Sequence, residues 1–323
     1  MTSAAVVVVN YNGGELLRRC LASVLAQQPA AHEVVVVDNA STDSSVDQLP
    51  EGVTLLRQPD NRGFGAGVNA GLTATRSPFV LTLNPDTELL PGFLAAATAA
   101  LDADETLGSV APRVLSAEDP ARIDANGIGL TSMLGHINCD NGLRDQDVGS
   151  EPRAVLGPLG GAALWRRSAL ERAGGFPERW FLYWEDVDLA LRLQRAGHGC
   201  LTVADACVTH VGGGSIGRLG AANVFYMARN HWPCLAGALP AGLLFERFPA
   251  FLIAPLRAAF LYARGGQALA AFAGILCGAL LVPVALWRRR TLSRIGPAEG
   301  AAKRLRALML GADANRLAMK AAS

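Results

Sequence analysis

Two runs of valine, each ending at polar residues, constrain the fold of this chain more than any other feature. Val6–Val9 is followed by Asn-Tyr-Asn-Gly-Gly, and Val34–Val37 is followed by Asp-Asn-Ala-Ser-Thr-Asp. A β-branched run without polar alternation predicts a strand that is buried on both faces, as in a parallel sheet. Ligand sites of open α/β sheets lie where such strands end. The two runs therefore predict four polar residues at one sheet edge: Asn10, Asn12, Asp38 and Asp43.

Further strands and helices alternate along the first two thirds of the chain. The predicted helices are Glu15–Gln27, a short helix that opens at Asp43, Val68–Ala74, Phe93–Ala103, Ser168–Ala173 and Asp186–Ala196, and the further strands are Val53–Arg57, Phe79–Leu83 and Ala206–His210. This alternation predicts an α/β fold with a mostly parallel, doubly wound sheet. From Trp232 the composition shifts to Ala, Leu, Gly and Phe. We therefore expect a catalytic domain over residues 1–231 and a C-terminal helical region over residues 232–323.

The bulk composition excludes several classes of protein. The formal net charge is +1 over 323 residues, which does not indicate a nucleic-acid-binding surface. Six cysteines are scattered without a C-x-x-C pair, so neither a zinc site nor a disulfide framework is indicated. No basic segment with a following apolar stretch precedes the first strand, so we expect no signal peptide and a cytoplasmic location.

The carboxylates after the second strand favour nucleotide binding. Asp38 ends an apolar run that has no structural need for a charge, so we expect it to accept hydrogen bonds from a ribose or a base. Asp43 can do the same or can simply organise the turn and cap a helix, and both interpretations stay open. The glycine-rich stretch 61–71 follows the third strand rather than the first, so it is not a dinucleotide-binding fingerprint. It indicates a close approach of the backbone to a ligand or to a packed helix.

Three later segments carry groups suited to acid–base and cation chemistry. Asp86, in Asn-Pro-Asp after the fourth strand, suits a hard divalent cation that also binds phosphate, although a plain Pro-Asp turn is the alternative. Glu185 and Asp186 follow four apolar residues, an environment that raises a carboxyl pKa and helps a general base. His210 ends a strand beside a glycine loop and can ligate a metal, although a structural histidine is the alternative. Arg229 is suited to bidentate phosphate contact.

The order of these motifs resembles glycosyltransferase family 2, with the GT-A fold, and specifically its rhamnosyltransferase-like branch. The similarity rests on Val-Val-Asn-Tyr-Asn-Gly-Gly, Val-Asp-Asn-Ala-Ser-Thr-Asp, Asn-Arg-Gly-Phe-Gly-Ala-Gly-Val-Asn, Asn-Pro-Asp, Trp-Glu-Asp-Val-Asp, Thr-His-Val-Gly-Gly-Gly-Ser and Ala-Arg-Asn, between residue 6 and about residue 230. The resemblance implies an inverting transfer of a sugar, such as rhamnose, from a dTDP- or UDP-sugar to a glycan or lipid-linked acceptor in cell-surface polysaccharide synthesis. It also implies a divalent metal, Mg²⁺ or Mn²⁺.

The resemblance further implies a role for each candidate residue. Asp186 would be the base, and Glu185 would orient the acceptor or assist. The metal would be held by Asp86 and His210, and the first Asp of the family's DxD motif is replaced by Asn84. The donor nucleotide would be bound by Asn10, Asn12, Asp38, Asp43, Arg62, Gly63, Asn69, Asn84, Arg229 and Asn230. The sugar or acceptor would contact Gly160, Gly161 and Trp184.

The C-terminal region predicts contact with a membrane. Gly265–Trp287 is apolar and free of charge, and arginines flank it on both sides. A run of this length can span a bilayer, but two basic flanks favour a cytoplasmic position for both ends. We therefore expect in-plane or re-entrant helices, or a hairpin with 232–256, on the cytoplasmic face of the inner membrane. The alternative is a helical layer buried on the soluble domain.

Two other functions remain possible at this point. A sugar nucleotidyltransferase would carry a glycine-rich, basic phosphate loop after the first strand, and Asn10–Leu17 contains no Lys or Arg. A catalytically inactive scaffold that binds nucleotide sugar or membrane is the second alternative. The presence of Asp86, Glu185 and Asp186 disfavours the scaffold.

Overall fold

A computed structural model describes residues 3–211, 220–292 and 300–322. The strands are β1 (Ala4–Asn10), β2 (Glu33–Asp38), β3 (Val53–Arg57), β4 (Phe79–Leu83), β5 (Thr87–Leu89), β6 (Leu107–Ser116), β7 (Ile123–Ala125), β8 (Ile128–Leu130), β9 (His136–Asn138), β10 (Ala162–Arg166) and β11 (Gly199–His210). The helices are α1 (Gly14–Leu25), α2 (Phe64–Ala74), α3 (Phe93–Ala103), α4 (Arg167–Ala173), α5 (Glu185–Arg195), α6 (Ala221–Ala238), α7 (Ala241–Glu246), α8 (Phe248–Arg264), α9 (Ala268–Leu292) and α10 (Ala301–Ala322).

A large sheet with the order β3-β2-β1-β4-β10-β6-β11-β5 forms the centre of the molecule. The valine runs behave as predicted, because β1 pairs in parallel with β2 and β4 and every residue of Val6–Val9 is buried. In the other half β10 runs antiparallel to β4 and β6, while β11 is parallel to β6. The register places Asn10 beside Asp38 at the carboxyl edge.

The short helix predicted at Asp43 does not form, and this part of the prediction was wrong. Residues 43–48 are turns and bends. The Asp43 carboxylate accepts hydrogen bonds from the backbone N–H of Gly14 (3.0 Å) and of Ser45 (3.2 Å). Asp43 therefore caps the start of α1 across the loop, because its acceptor oxygens are used there rather than on a helix of its own.

The glycine-rich stretch forms α2 itself, which begins at Phe64, earlier than predicted. A Cβ on Gly67 would lie 2.6 Å from Val9 Cγ1, and a Cβ on Gly71 would lie 2.3 Å from Val7 Cγ1. Of the two interpretations of this stretch, helix packing accounts for these two glycines, because they let α2 lie directly on β1.

The C-terminal helices pack on the rest of the molecule. The predicted domain boundary at residue 231 falls inside α6, so a continuous helix joins the two parts; the division itself stays a prediction. α10 returns to β8 and α5. The segment 212–215 of the Thr-His-Val-Gly-Gly-Gly-Ser motif lies outside the described residues.

Candidate active site

A cavity of about 480 Å³ opens at the carboxyl edge of β1 and β4. It brings together more than half of the residues predicted from the sequence. Those that line it are Asn12, Asn84, Asp86, Gly160, Gly161, Trp184, Glu185, Asp186 and His210. Those that do not line it are Asn10, Asp38, Asp43, Arg62, Gly63, Asn69, Arg229 and Asn230. The residues that do not line the cavity either support its wall or lie away from it. The binding roles assigned to the residues of both groups stay predictions.

Asn10 and Asp38 form a buried polar network beneath one wall of the cavity. Asn10 Nδ2 lies 3.3 Å from Asp38 Oδ1, 3.0 Å from Ser41 Oγ and 2.9 Å from Ser45 Oγ. Asp38 Oδ1 also accepts from the N–H of Ser41 at 3.3 Å. Burial makes each of these groups dependent on its partners. The network therefore shapes the loop after β2.

Asn12 and Asp43 organise the exposed part of the same loop. Asn12 has a positive φ of 54°, and its Oδ1 accepts from the N–H of Thr42 at 2.7 Å. The hydrogen bond from the Ser45 hydroxyl, followed by those from backbone N–H groups, lowers the pKa of Asp43. Asp43 is therefore held ionised. Its observed contacts match the turn-organising interpretation, and nothing in the structure tests the nucleotide-binding one.

Arg62 and Asn69 lie beside the loop that precedes α5. Arg62 pairs with Glu178 at 3.0 Å, and Asn69 Nδ2 donates to the same carboxylate at 3.0 Å and to Phe176 O at 2.9 Å. Gly63 has a φ of 86°, and a Cβ there would lie 2.1 Å from Phe181 O. These contacts couple the start of α2 to the loop that carries Trp184.

A histidine between two carboxylates also lines the cavity. His210 Nδ1 is 2.7 Å from Asp124 Oδ2, and His210 Nε2 is 3.4 Å from Asp86 Oδ2. Burial by itself would lower the pKa of His210, but hydrogen bonds with Asp124 and Asp86 raise the pKa to about 10. Asp86 Oδ1 is buried and has no hydrogen-bond partner among residues 3–211, 220–292 and 300–322.

This arrangement fits a divalent cation held by two side chains, because a bound cation would take the place of the proton on His210 Nε2 that Asp86 stabilises. Neighbouring ligand atoms of an octahedral cation, each about 2.1 Å from it, lie about 3 Å apart, close to the 3.4 Å between Asp86 Oδ2 and His210 Nε2. Among the described residues no three carboxylate, imidazole or thiol groups form a ready-made metal cage. Such a cation would therefore depend on oxygens from a bound diphosphate, as Mg²⁺ commonly does. Asp124 takes the position of the carboxylate that orients a metal-binding histidine.

Asn84 lies close to the glycine pair of the cavity floor. Its backbone N–H donates to Gly161 O at 2.8 Å, and a Cβ on Gly161 would lie 2.4 Å from Asn84 Nδ2. Gly160 donates its N–H to Asp186 Oδ2 at 3.5 Å. The two glycines thus allow the end of β4 and the start of α5 to approach each other.

Glu185 and Asp186 begin α5 and face the cavity. Burial, and then the charge of Asp186, raise the pKa of Glu185 to about 8. Glu185 Oε2 is buried, and no hydrogen-bond partner for it lies in the part of the chain that the structure describes. Burial therefore favours the protonated form of Glu185, which can donate a hydrogen bond, and the role of Asp186 as the base stays a prediction.

A strained loop delivers this pair, and Asn230 holds it in place. Phe181, Tyr183 and Trp184 all have φ between 63° and 72°, a region that costs non-glycine residues about 1–3 kcal/mol each. The Asn230 side-chain amide reaches the carbonyl oxygens of Trp180 (3.0 Å), Leu182 (2.9 Å) and Tyr183 (2.9 Å). Asn230 thus has an observed structural role beneath the loop, away from the cavity.

Arg229 strengthens the same support. Its guanidinium donates to Trp180 O at 2.7 Å and to Asn230 Oδ1 at 2.8 Å, and lies 4.7 Å from the centre of the Tyr226 ring. In this conformation the guanidinium is turned toward the loop, so its predicted contact with a diphosphate would require these hydrogen bonds to change.

Comparisons with known proteins show the family of this chain. The sequence profile described as "Glycosyl transferase family 2" matches residues 5–172. The chain belongs to glycosyltransferase family 2. This glycosyltransferase is 31% identical over 238 residues to the N-acetylglucosaminyl-diphospho-decaprenol L-rhamnosyltransferase of Mycobacterium tuberculosis strain H37Rv, covering 66% of this chain and 77% of that protein. The family and the rhamnosyltransferase-like similarity are confirmed.

Solved structures confirm the GT-A fold of this glycosyltransferase. GalNAc-T7 with UDP, GalNAc and Mn²⁺ aligns with a TM-score of 0.59 and 16% identity over 73% of this chain and 48% of that chain. The mannosyltransferase PcManGT from Pyrobaculum calidifontis, in complex with GDP-Man and Mn²⁺, aligns with a TM-score of 0.55 and 21% identity. That alignment covers 97% of this chain and 87% of the other.

The sequence did not reveal every side chain of the glycosyltransferase cavity. Asp124 and His136 line it and come from the irregular segment after β6. Burial lowers the pKa of His136, and the nearby Asp186 carboxylate opposes this. No periodicity or spacing marks either residue. The only available signal was the abundance of Gly, Asn and Asp between residues 109 and 147, which is typical of functional loops.

Proposed function

We propose that this glycosyltransferase moves a sugar, with inversion at its anomeric carbon, from a nucleoside diphosphate sugar to a hydroxyl group of a lipid-linked or glycan acceptor. The observation that carries the proposal is one cavity whose lining includes both Asp186 and the Asp86–His210 pair. A base and a cation-binding pair that share one cavity are what a single displacement requires. The similarity to a rhamnosyltransferase that acts on a diphospho-decaprenol makes dTDP-rhamnose the first donor to test, with UDP-sugars next.

In the proposed reaction the Asp186 carboxylate accepts the proton of the acceptor hydroxyl. The hydroxyl oxygen forms a bond to the anomeric carbon as the bond from that carbon to the diphosphate oxygen breaks, and the nucleoside diphosphate leaves with the bonding electrons. No covalent enzyme intermediate is needed, so the configuration inverts. Protonated Glu185 donates a hydrogen bond to an oxygen of the acceptor or the sugar.

We propose that Asp86 and His210 hold Mg²⁺ or Mn²⁺ in the working enzyme. When bound, the cation would supply positive charge that stabilises the leaving diphosphate. Asp124 would orient His210 from behind. The nucleoside is proposed to lie near the loop after β2, which is shaped by Asn10, Asp38 and Asp43.

The experiment that tests the function combines donor binding with turnover. Thermal stability is measured with a panel of dTDP- and UDP-sugars, each with and without Mn²⁺, because a ligand that binds the native state raises its stability. Transfer from any stabilising donor is then followed with a prenyl-diphosphate-linked sugar acceptor, and the anomeric configuration of the product is determined by NMR.

The matched variant is Asp186→Asn, which keeps size and polarity but removes the base. We expect turnover to fall about 10²–10⁴-fold, with the donor-induced thermal shift unchanged. Near-normal turnover in Asp186→Asn would refute the role of Asp186. Donor binding by the wild type without any transfer would instead support an inactive nucleotide-sugar-binding protein.

A further inference from the structure

Residues 268–287 of α9 are apolar around the whole circumference of the helix, but the described residues cover only one side of it. It is the one helix of the described ranges that is long and apolar enough to cross a membrane. Its buried side is narrow and consists of Ala271, Gly274, Ile275, Gly278 and Ala285. A helix that is apolar all round needs an apolar environment on all sides. Something other than water must therefore cover the rest of α9.

The buried side of α9 lies along α6 without a gap. A Cβ on Gly274 would lie 2.4 Å from Phe225 O, and a Cβ on Gly278 would lie 2.5 Å from Arg229 O. Glycines four residues apart allow two helix backbones to approach this closely. At the far end, Arg289 donates to Ala236 O at 2.6 Å. The two helices therefore run parallel and stay attached from end to end.

The chain contacts the catalytic domain both before and after α9. In α8, Tyr262 Oη donates a hydrogen bond to Sδ of Met227, 3.6 Å away. In α10, the side-chain oxygen of Asn315 accepts from the N–H of Asp140 at 2.9 Å. A single crossing by α9 would place α8 and α10 on opposite sides of a bilayer. These contacts are incompatible with such a crossing.

The uncovered surface of α8 and α9 is both apolar and basic. We use the term outer face for its exposed apolar side chains, which include Leu256, Phe260, Leu269, Phe272, Leu276 and Leu280. Leu269 and Leu280 are 88% and 79% exposed. The segment 247–292 contains six arginines and no Asp or Glu, and Arg257 and Arg264 are exposed on α8. An apolar surface with basic side chains matches a bilayer that contains anionic lipids.

We infer that the outer face lies in the plane of an anionic bilayer and is embedded in the near leaflet without crossing it. The cavity is close to this surface, because Met227 of α6 lines the cavity and also accepts a hydrogen bond at Sδ, 3.6 Å from Tyr262 Oη of α8. A lipid-linked acceptor would then reach Asp186 from the membrane side. This last step rests on the proposed function, whereas the membrane contact does not.

The test uses the full-length protein and flotation with vesicles of phosphatidylglycerol or of phosphatidylcholine. The variant Phe272→Gln/Leu276→Gln/Leu280→Gln changes only exposed side chains. The matched control is Leu310→Gln/Leu317→Gln, which are 64% and 69% exposed on α10, outside the outer face. We expect the wild type and the control to float with phosphatidylglycerol vesicles, and the triple variant to bind about 100-fold more weakly. Equal binding by all three proteins would overturn the inference.

A second measurement separates an in-plane helix from a crossing one. Short tags at the two chain ends are exposed to protease in inside-out and right-side-out membrane vesicles. We expect both tags to be cut in inside-out vesicles and neither in right-side-out vesicles; cutting of one tag in each preparation would overturn the in-plane arrangement. If the wild type instead forms a dimer without detergent, does not bind vesicles, and becomes monomeric in the triple variant, the outer face contacts a second copy of the chain and the inference is overturned. Vesicle binding is read without turnover, so a failure of the proposed sugar transfer is recognised separately.

Discussion

We expect that replacing Asp124 weakens cation binding, although Asp124 is not itself a proposed ligand of the cation. Asp124 Oδ2 lies 2.7 Å from His210 Nδ1, while the other ring nitrogen points toward Asp86. With Asp124→Ala the imidazole loses the partner that fixes its orientation and its tautomer. Removing such an orienting partner typically costs 10–100-fold in metal affinity, which corresponds to about 1.4–2.7 kcal/mol of binding free energy.

The conservative variant makes this prediction specific. Asp124→Asn keeps an oxygen that can accept from His210 Nδ1–H, so we expect it to retain most of the affinity that Asp124→Ala loses. The backbone oxygen of Asp124 is held independently by Asn141 Nδ2 at 2.8 Å, so β7 should persist in both variants. Asp147→Ala, an exposed carboxylate on the same segment, controls for the change in net charge.

Mn²⁺ affinity is measured by calorimetry and by the electron paramagnetic resonance signal of free Mn²⁺, in the presence of a nucleoside diphosphate. His210→Ala sets the scale for loss of a direct ligand. If Asp124→Ala binds Mn²⁺ within twofold of the wild type while His210→Ala binds weakly, the positioning role of Asp124 is wrong. If the wild type binds no Mn²⁺, the metal site itself is wrong.

Three further predictions concern the Glu185 carboxyl group, the loop supported by Asn230, and the glycines of α2 and α10. Because the folded-state pKa of Glu185 is raised to about 8, the native state holds an extra proton between about pH 4.5 and pH 8, so the free energy of unfolding falls as the pH rises through this window. Glu185→Gln should flatten this pH dependence in urea titrations at several pH values, and an unchanged slope of unfolding free energy against pH would contradict the prediction. Asn230→Ala leaves buried carbonyl groups without their donor and should lower the free energy of unfolding by about 1–3 kcal/mol, together with lower turnover. A wild-type value of either quantity would refute the role of Asn230 in holding the loop. Gly71→Ala places a methyl group against Val7 and should destabilise the protein by about 1–3 kcal/mol. Gly311→Ala, whose added Cβ has no described atom within 4 Å, should instead stabilise α10 by about 0.5–1 kcal/mol, and equal melting temperatures for the two variants would contradict the packing argument.

The strands β1 and β2 and the polar residues that follow them were predictable from local sequence patterns. Parallel strands buried on both faces need uninterrupted apolar residues, so the valine runs identified β1 and β2, and the residues after them had to share an edge. The order of the motifs along the chain was enough to predict the family. Local pattern did not predict the antiparallel half of the sheet, because β10 follows a long irregular segment whose path depends on contacts distant in sequence.

The sequence by itself determined the parallel core, the chemical types of the residues at its edge and the apolar character of α9, because each depends on neighbours in the chain. Only the tertiary structure decided how those groups are used. It paired Asp124 with His210 across 86 residues, turned Asn230 toward a strained loop rather than into the cavity, and used Asp43 to cap α1. It also attached α9 along α6 and returned α10 to the catalytic domain. These outcomes depend on which buried polar and apolar groups find partners far away in the chain, and no local periodicity encodes that choice.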